Sequence, residues 1–159
     1  MSKIGLHIVN DDFDPARLGK PAIVKLLDPS PNFKARVRAQ VGPDCLIVIR
    51  FMEDDQDLKA PSVRAAQWFG AHLPQIQAMN DPNVMYEGLN EIADSDADAF
   101  AVFEAERLRT LHAHGYRVAV GSWSVGTPDL PVWAKYAPVL AAMNGKDAIS
   151  CHEYWANRN

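Results

Sequence analysis

Apolar and polar positions alternate along this chain in two rhythms. Six short runs rich in Val, Ile and Leu are nearly continuous: "KIGLHIV" (3–9), "AIVKLLD" (22–28), "CLIVIRF" (45–51), "NVMYEGLN" (83–90), "RVAVGSW" (117–123) and "AISCHEYW" (148–155). Such runs suit parallel strands covered on both faces. Between them lie longer stretches with helical spacing. "SPNFKARVRAQV" opens at a Ser-Pro signal, and "PSVRAAQWFGAHLPQIQAM" carries Pro74, which is expected to kink or split it. "SDADAFAVFEAERLRTLHAHG" begins with a capping-box pattern, Ser95 to Asp98, and stops at Gly115. "TPDLPVWAKYAPVLAAMNG" has Pro near its start and Gly145 at its end. The first connection, "NDDFDPARLGKP", has room for a single turn.

Strand–helix alternation at this pitch predicts βαβ units and a parallel sheet within a single domain, 1–159. A doubly wound sheet and a (β/α) barrel both fit the rhythm. A dinucleotide-binding sheet requires G-x-G-x-x-G after the first strand, and "HIVNDDFD" has no glycine there. Polar residues gather instead at the C-terminal ends of many runs: Asn10, Asp28, Arg50, Asn90 and Glu91, Trp123, His152 and Tyr154. Functional groups contributed by the ends of several strands are the mark of a TIM-type barrel. The expected fold is therefore α/β, a parallel (β/α) barrel. A whole barrel of this kind runs to about 250 residues, so the chain holds about six of eight units. It is expected to be truncated at the C-terminus, or to assemble as a homo-oligomer or with a missing C-terminal segment that completes the sheet, because open parallel edges expose unpaired backbone.

Composition narrows the partners. With 16 basic and 20 acidic residues the net charge is −4, and no Lys/Arg stripe appears, so nucleic acid is not an expected partner. The apolar runs are too short to cross a bilayer. "MSKIGLHIVNDD" reads as a strand rather than a secretion signal, which makes the cytoplasm the default location, with a lost leader as the alternative. Cys45 and Cys151 make no disulfide framework and read as two buried thiols.

Glu91 carries the chemistry. A carboxyl at the end of a barrel strand, half-buried among apolar walls, holds a proton nearer neutral pH and can deliver it. Asn90 beside it can hydrogen-bond a substrate hydroxyl. Protonating a leaving oxygen while gripping a neighbouring hydroxyl is the work of glycoside cleavage. A helix N-cap pair at a βα turn is the structural alternative.

In this setting "YEGLNE" resembles the fourth-strand signature of the large clan of retaining glycoside hydrolases built on (β/α)8 barrels. The resemblance implies that Glu91 is the general acid/base and Asn90 the hydroxyl-binding amide. "HEYW" matches the clan's sixth-strand His-x-Tyr, which places His152 and Tyr154 along the cleft. "VIRF" and "SWS" fall where cleft-lining residues are common. The match in strand order covers residues 3 to 155. A narrower resemblance is to uncharacterised bacterial glycosidase-like proteins with "GLH", "VK", "EGxNE" and "HEY". The implied substrate is a β-linked saccharide, with no cofactor and no metal. The clan's nucleophile, a glutamate ending the seventh strand, has no counterpart before Asn159. A retaining mechanism needs two carboxyls about 5–5.5 Å apart. Asp28 is one substitute; Glu153 is turned outward by strand alternation, and Glu87 lies one layer deeper. The chain alone is thus expected to be nearly inactive, and a non-catalytic saccharide-binding or assembly module is the alternative.

The remaining residues have plainer readings. Lys25 and Glu87 lie within apolar strands, and Glu87 is expected to pair with Lys25 or Arg50 in the interior. Arg50 has a second reading, orienting the acid or a hydroxyl at the mouth. His7 reads as a hydrogen-bonded interior residue. His112 and His114 sit at a helix C-terminus, where cationic histidine suits the dipole. "DSDAD" fails as a calcium loop, because Ala99 stands where the glycine belongs. "NDDFD" (10–14) reads as an acidic loop at the mouth. Trp123 and Trp155 follow strands and read as sugar-stacking platforms; Trp68 and Trp133 sit in helices and read as packing.

Overall fold

A strand buried on both faces must find an apolar cover on each side, and the chain does this with one sheet and an outer layer of helices. The computed structural model describes residues 6–79, 81–124 and 127–151. The strands are β1 (Leu6–Ile8), β2 (Ile23–Leu27), β3 (Leu46–Arg50), β4 (Val84–Glu87), β5 (Arg117–Trp123) and β6 (Ala148–Cys151). All neighbours pair in parallel in the order β1-β2-β3-β4-β5-β6. The sheet curls into a half-barrel, the α/β incomplete barrel that the sequence pattern predicts. The helices are α1 (Pro31–Val41), α2 (Pro61–Met79), α3 (Ala97–Ala113) and α4 (Leu130–Ala142).

Strand alternation divides the side chains into two sets. Val24, Leu26, Ile47, Ile49, Tyr86, Val118 and Val120 point outward into the main core, against Phe33, Trp68, Ile76, Phe100, Phe103 and Leu111 of the helices. Each such side chain contributes about 1.5–3 kcal/mol by leaving water. Val48, Met85 and Ala119 form a second, inner cluster with half-buried Ile23, Leu46 and Ala148. Above that inner cluster, toward the C-terminal strand ends, the inward positions turn polar.

Several local expectations change in the fold. The link from β1 to β2 does hold a single 3-10 turn, Pro15–Leu18, and Ser30 caps α1 by accepting the Phe33 N–H at 3.1 Å. Pro74 does not divide α2, which is assigned as one continuous helix over Pro61–Met79. The Ser95–Asp98 capping box does not form: Asp94–Asp96 wind into a 3-10 turn, and α3 begins at Ala97 with no side-chain cap. α4 starts at Leu130 and ends at Ala142, three residues short of Gly145. Cys45 is buried, but Cys151 is exposed. His7 is likewise exposed rather than interior. It faces the same inner side as Lys25, its register partner, where β1 forms the sheet edge.

Candidate functional site

The inward side of the strand C-termini carries a connected polar cluster built around Glu87. Its carboxylate is wholly buried. Lys25 Nζ donates to Oε1 at 2.6 Å, Ser122 Oγ donates to the same oxygen at 2.7 Å, and Ser150 Oγ donates to Oε2 at 2.7 Å. Arg50 Nη1 stands 3.8 Å away. Lys25 and Arg50 both serve Glu87, as its place among apolar residues requires. Burial works against the charged carboxyl, but the lysine and the two hydroxyls outweigh it and hold Glu87 below the usual carboxylate range.

The turn after β4 sits on this floor. Gly88 allows it: a Cβ there would meet Glu104 Oε1 and lie 2.8 Å from Arg107 Nε. Those two side chains form a buried ion pair, with Arg107 donating to the Tyr86 and Ala119 carbonyls at 2.9 and 2.8 Å. A larger residue at 88 has no space beside that pair. Leu89 and Ile92 are buried on either side of Asn90 and Glu91, which are half-buried. Asn90 Oδ1 accepts from Arg50 Nη1, and Ser122 Oγ lies 3.4 Å from the same oxygen. The Asn90 N–H donates to Gln56 Oε1 at 2.6 Å, and the Glu91 N–H to the Ser122 carbonyl at 2.9 Å. Glu91 lies within electrostatic reach of Lys25. Arg50 therefore stands by Glu87, as expected, and also holds the Asn90 amide.

Among the described residues three non-glycine residues have positive φ: Asp28 (φ 44) directly after β2, Glu91 (φ 51) in the turn beyond β4, and Ser122 (φ 57) near the C-terminal end of β5. The left-handed region costs an L-residue about 1–2 kcal/mol, and residues held there concentrate at sites where position matters. Asp28 is exposed, and its N–H bonds the Arg50 carbonyl at 2.8 Å.

Ser122 marks a β-bulge, where the pairing of β5 with β6 slips between Gly121 and Trp123. Strict alternation from Ala119 puts Trp123 on the inner side. The extra residue reverses that, turning Ser122 inward to Glu87 and Trp123 outward. Gly121 takes φ 102, and a Cβ there would lie 2.9 Å from the Ser150 carbonyl. Trp123 is wholly buried, with its ring against Phe100 (5.2 Å), Tyr136 (5.3 Å) and Trp133 (6.5 Å). The sugar-platform expectation for Trp123 is thus corrected: its indole packs between α3 and α4. His152, Glu153, Tyr154 and Trp155 lie outside the described residues.

Other expectations resolve into structural roles. Asp11 of the acidic loop accepts the Ser30 N–H at 3.1 Å, and Asp14 caps the 3-10 turn. His112 bonds Asp147 at 3.0 Å beside a cleft of about 240 Å³ at the N-terminal end of β5, and His114 Nδ1 meets the Thr110 carbonyl. Among the described residues no group of three or more His, Cys, Asp or Glu side chains converges as a metal site, and no helix is long and apolar enough to cross a membrane.

Reading the sequence misses Ser150 and Gln56, and reaches Ser122 only as part of "SWS", without its contact to Glu87. A glycine inside a strand pattern is a bulge signal, and "VGSW" carries it. Nothing local marks Gln56. Compared with family models, with curated proteins and with solved structures, the chain gives no significant match in any of the three.

Proposed function

We propose that this chain is the acid/base-bearing part of a glycoside hydrolase-like barrel that acts on a β-linked saccharide. The observation that carries the reading is the turn Asn90–Glu91: a half-buried carboxyl in a strained conformation at the C-terminal end of a parallel strand, next to an amide clamped by Arg50. With Oδ1 held by Arg50, the Nδ2 of Asn90 is the atom that donates to a substrate hydroxyl. Glu91 protonates the departing glycosidic oxygen, and in the second half of a retaining cycle takes a proton from water. His152 and Tyr154, and Trp155 as a stacking face, extend the cleft in this proposal.

The nucleophile comes from outside the six strands, supplied by a further segment or a second copy set between β6 and β1. Glu87 does not serve, since Lys25, Ser122 and Ser150 already engage it in a fully buried position. That same fact favours a second reading, a saccharide-binding or assembly module in which Asn90 and Glu91 grip hydroxyls without bond cleavage.

Aryl β-glycosides test the choice. The 159 residues alone are expected to bind saccharide with little turnover. Azide, a small external nucleophile, should restore release of an activated phenol. Glu91→Gln should lower residual cleavage of a poor leaving group by about 10²-fold or more. Rapid unaided turnover that Glu91→Gln abolishes would refute the external nucleophile. Saccharide affinity with no turnover, azide present or absent, would favour the binding module.

A further inference from the structure

The connection from β3 to α2, residues 51–60, has no regular structure, yet it is pinned at successive points. Glu53 takes the Arg64 guanidinium on one oxygen and His72 Nε2 on the other, at 2.6 Å. Arg64 also donates to the Asp55 carbonyl at 2.8 Å. Asp55 Oδ1 accepts the Asp57 N–H and Asp57 Oδ1 the Lys59 N–H, both at 2.9 Å. These are two successive Asx turns, which stiffen a loop from within. His72 stacks on Phe51, with ring centroids 4.3 Å apart and planes at 13°. The loop is therefore a brace built on α2 rather than a loose crossing.

From this brace Gln56 reaches across 34 positions of sequence to accept the Asn90 N–H at 2.6 Å. The next amide, that of Glu91, is held by the Ser122 carbonyl on the bulge of β5. Two consecutive N–H groups of the turn are thus tied to different elements, on opposite sides of β4. A left-handed non-glycine residue persists when its surroundings over-determine it, and these two bonds are such a constraint. Resting on the reading of Asn90–Glu91 as the working turn, we infer that Gln56 is a positioning residue: it fixes the turn from the β3–α2 side and sets where the Glu91 carboxyl and the Asn90 amide stand.

Two variants of the full chain test this. Gln56→Met has similar length and no acceptor; Gln56→Glu keeps one. Exchange of the Asn90 amide with solvent, followed by NMR, should quicken about tenfold in Gln56→Met and return toward the wild-type rate in Gln56→Glu. In azide-assisted turnover of a glycoside with a poor leaving group, Gln56→Met should lower kcat about tenfold and Gln56→Glu should restore it, because the acid and the hydroxyl-binding amide are displaced together. Unchanged Asn90 exchange in Gln56→Met overturns the clamp. Faster exchange with kcat unchanged overturns the positioning role. If the wild-type chain turns over no glycoside, that failure belongs to the functional reading, and the exchange comparison still upholds or overturns the clamp.

Discussion

At the scale of single residues, the molecule is organised by one charge. Glu87 has no access to water, so both of its carboxylate oxygens need protein donors. Lys25, Ser122 and Ser150 meet that need from three other strands, which ties the C-terminal half of the sheet together. Because the folded-state carboxyl lies below its unfolded range near 4.3, its contribution is fully present above that unfolded value and is lost as pH falls from there through the folded value. Urea titrations at pH 7 and pH 3 should show this component in the wild type and not in Glu87→Gln. At pH 7 that substitution should cost about 2–3 kcal/mol, less than a fully buried pair, since Lys25 keeps some contact with water. An acid profile identical in the two proteins would assign the loss to other carboxylates.

At the scale of elements, two devices shape the strand ends. The bulge in β5 moves the polar face by one residue, so a serine reaches Glu87 and an indole joins the core. The second device is Arg107 of α3, which reaches through the helix layer to the β4 and β5 carbonyls, lies over the Trp68 ring at 5.2 Å, and excludes any side chain at Gly88. Arg107→Met strands both carbonyls and leaves Glu104 without its buried partner. Chemical denaturation should register about 3–5 kcal/mol. Arg107→Met combined with Glu104→Gln should recover part of it, since the uncompensated charge is gone. A double variant as unstable as the sum of the single ones would mean that the pair does not act as a unit.

At the scale of the whole molecule, the sheet has two edges. Among the described residues no strand pairs with the outer side of β1 or β6. Leu6 and Ile149 are 48% and 47% exposed, whereas their register partners Val24 and Val120 are fully buried beneath helices. Each edge thus carries an outward apolar side chain lacking the cover its neighbour has. In keeping with the proposed external nucleophile, we expect these edges to be paired by a second copy or a further segment. Light scattering at micromolar concentrations should report a species heavier than one chain, or a chain that binds an added barrel-completing segment. A well-folded monomer indifferent to such a segment would count against it.

The sequence by itself determined the alternation of strands and helices, the parallel sheet, the placement of Asn90 and Glu91 after the fourth strand, and the need of Glu87 for a cation from Lys25 or Arg50. Periodicity is written along each element, and a lone charge inside an apolar strand calls for a partner wherever it sits, so both can be read from local pattern. Only the tertiary structure decided that Trp123 faces the helices, that Ser122 and Ser150 complete the Glu87 shell, that Arg107 spans two strands, and that Gln56 meets Asn90. A bulge shifts every residue after it by one face, and long side chains choose partners by proximity in space. Neither effect leaves a period in the sequence.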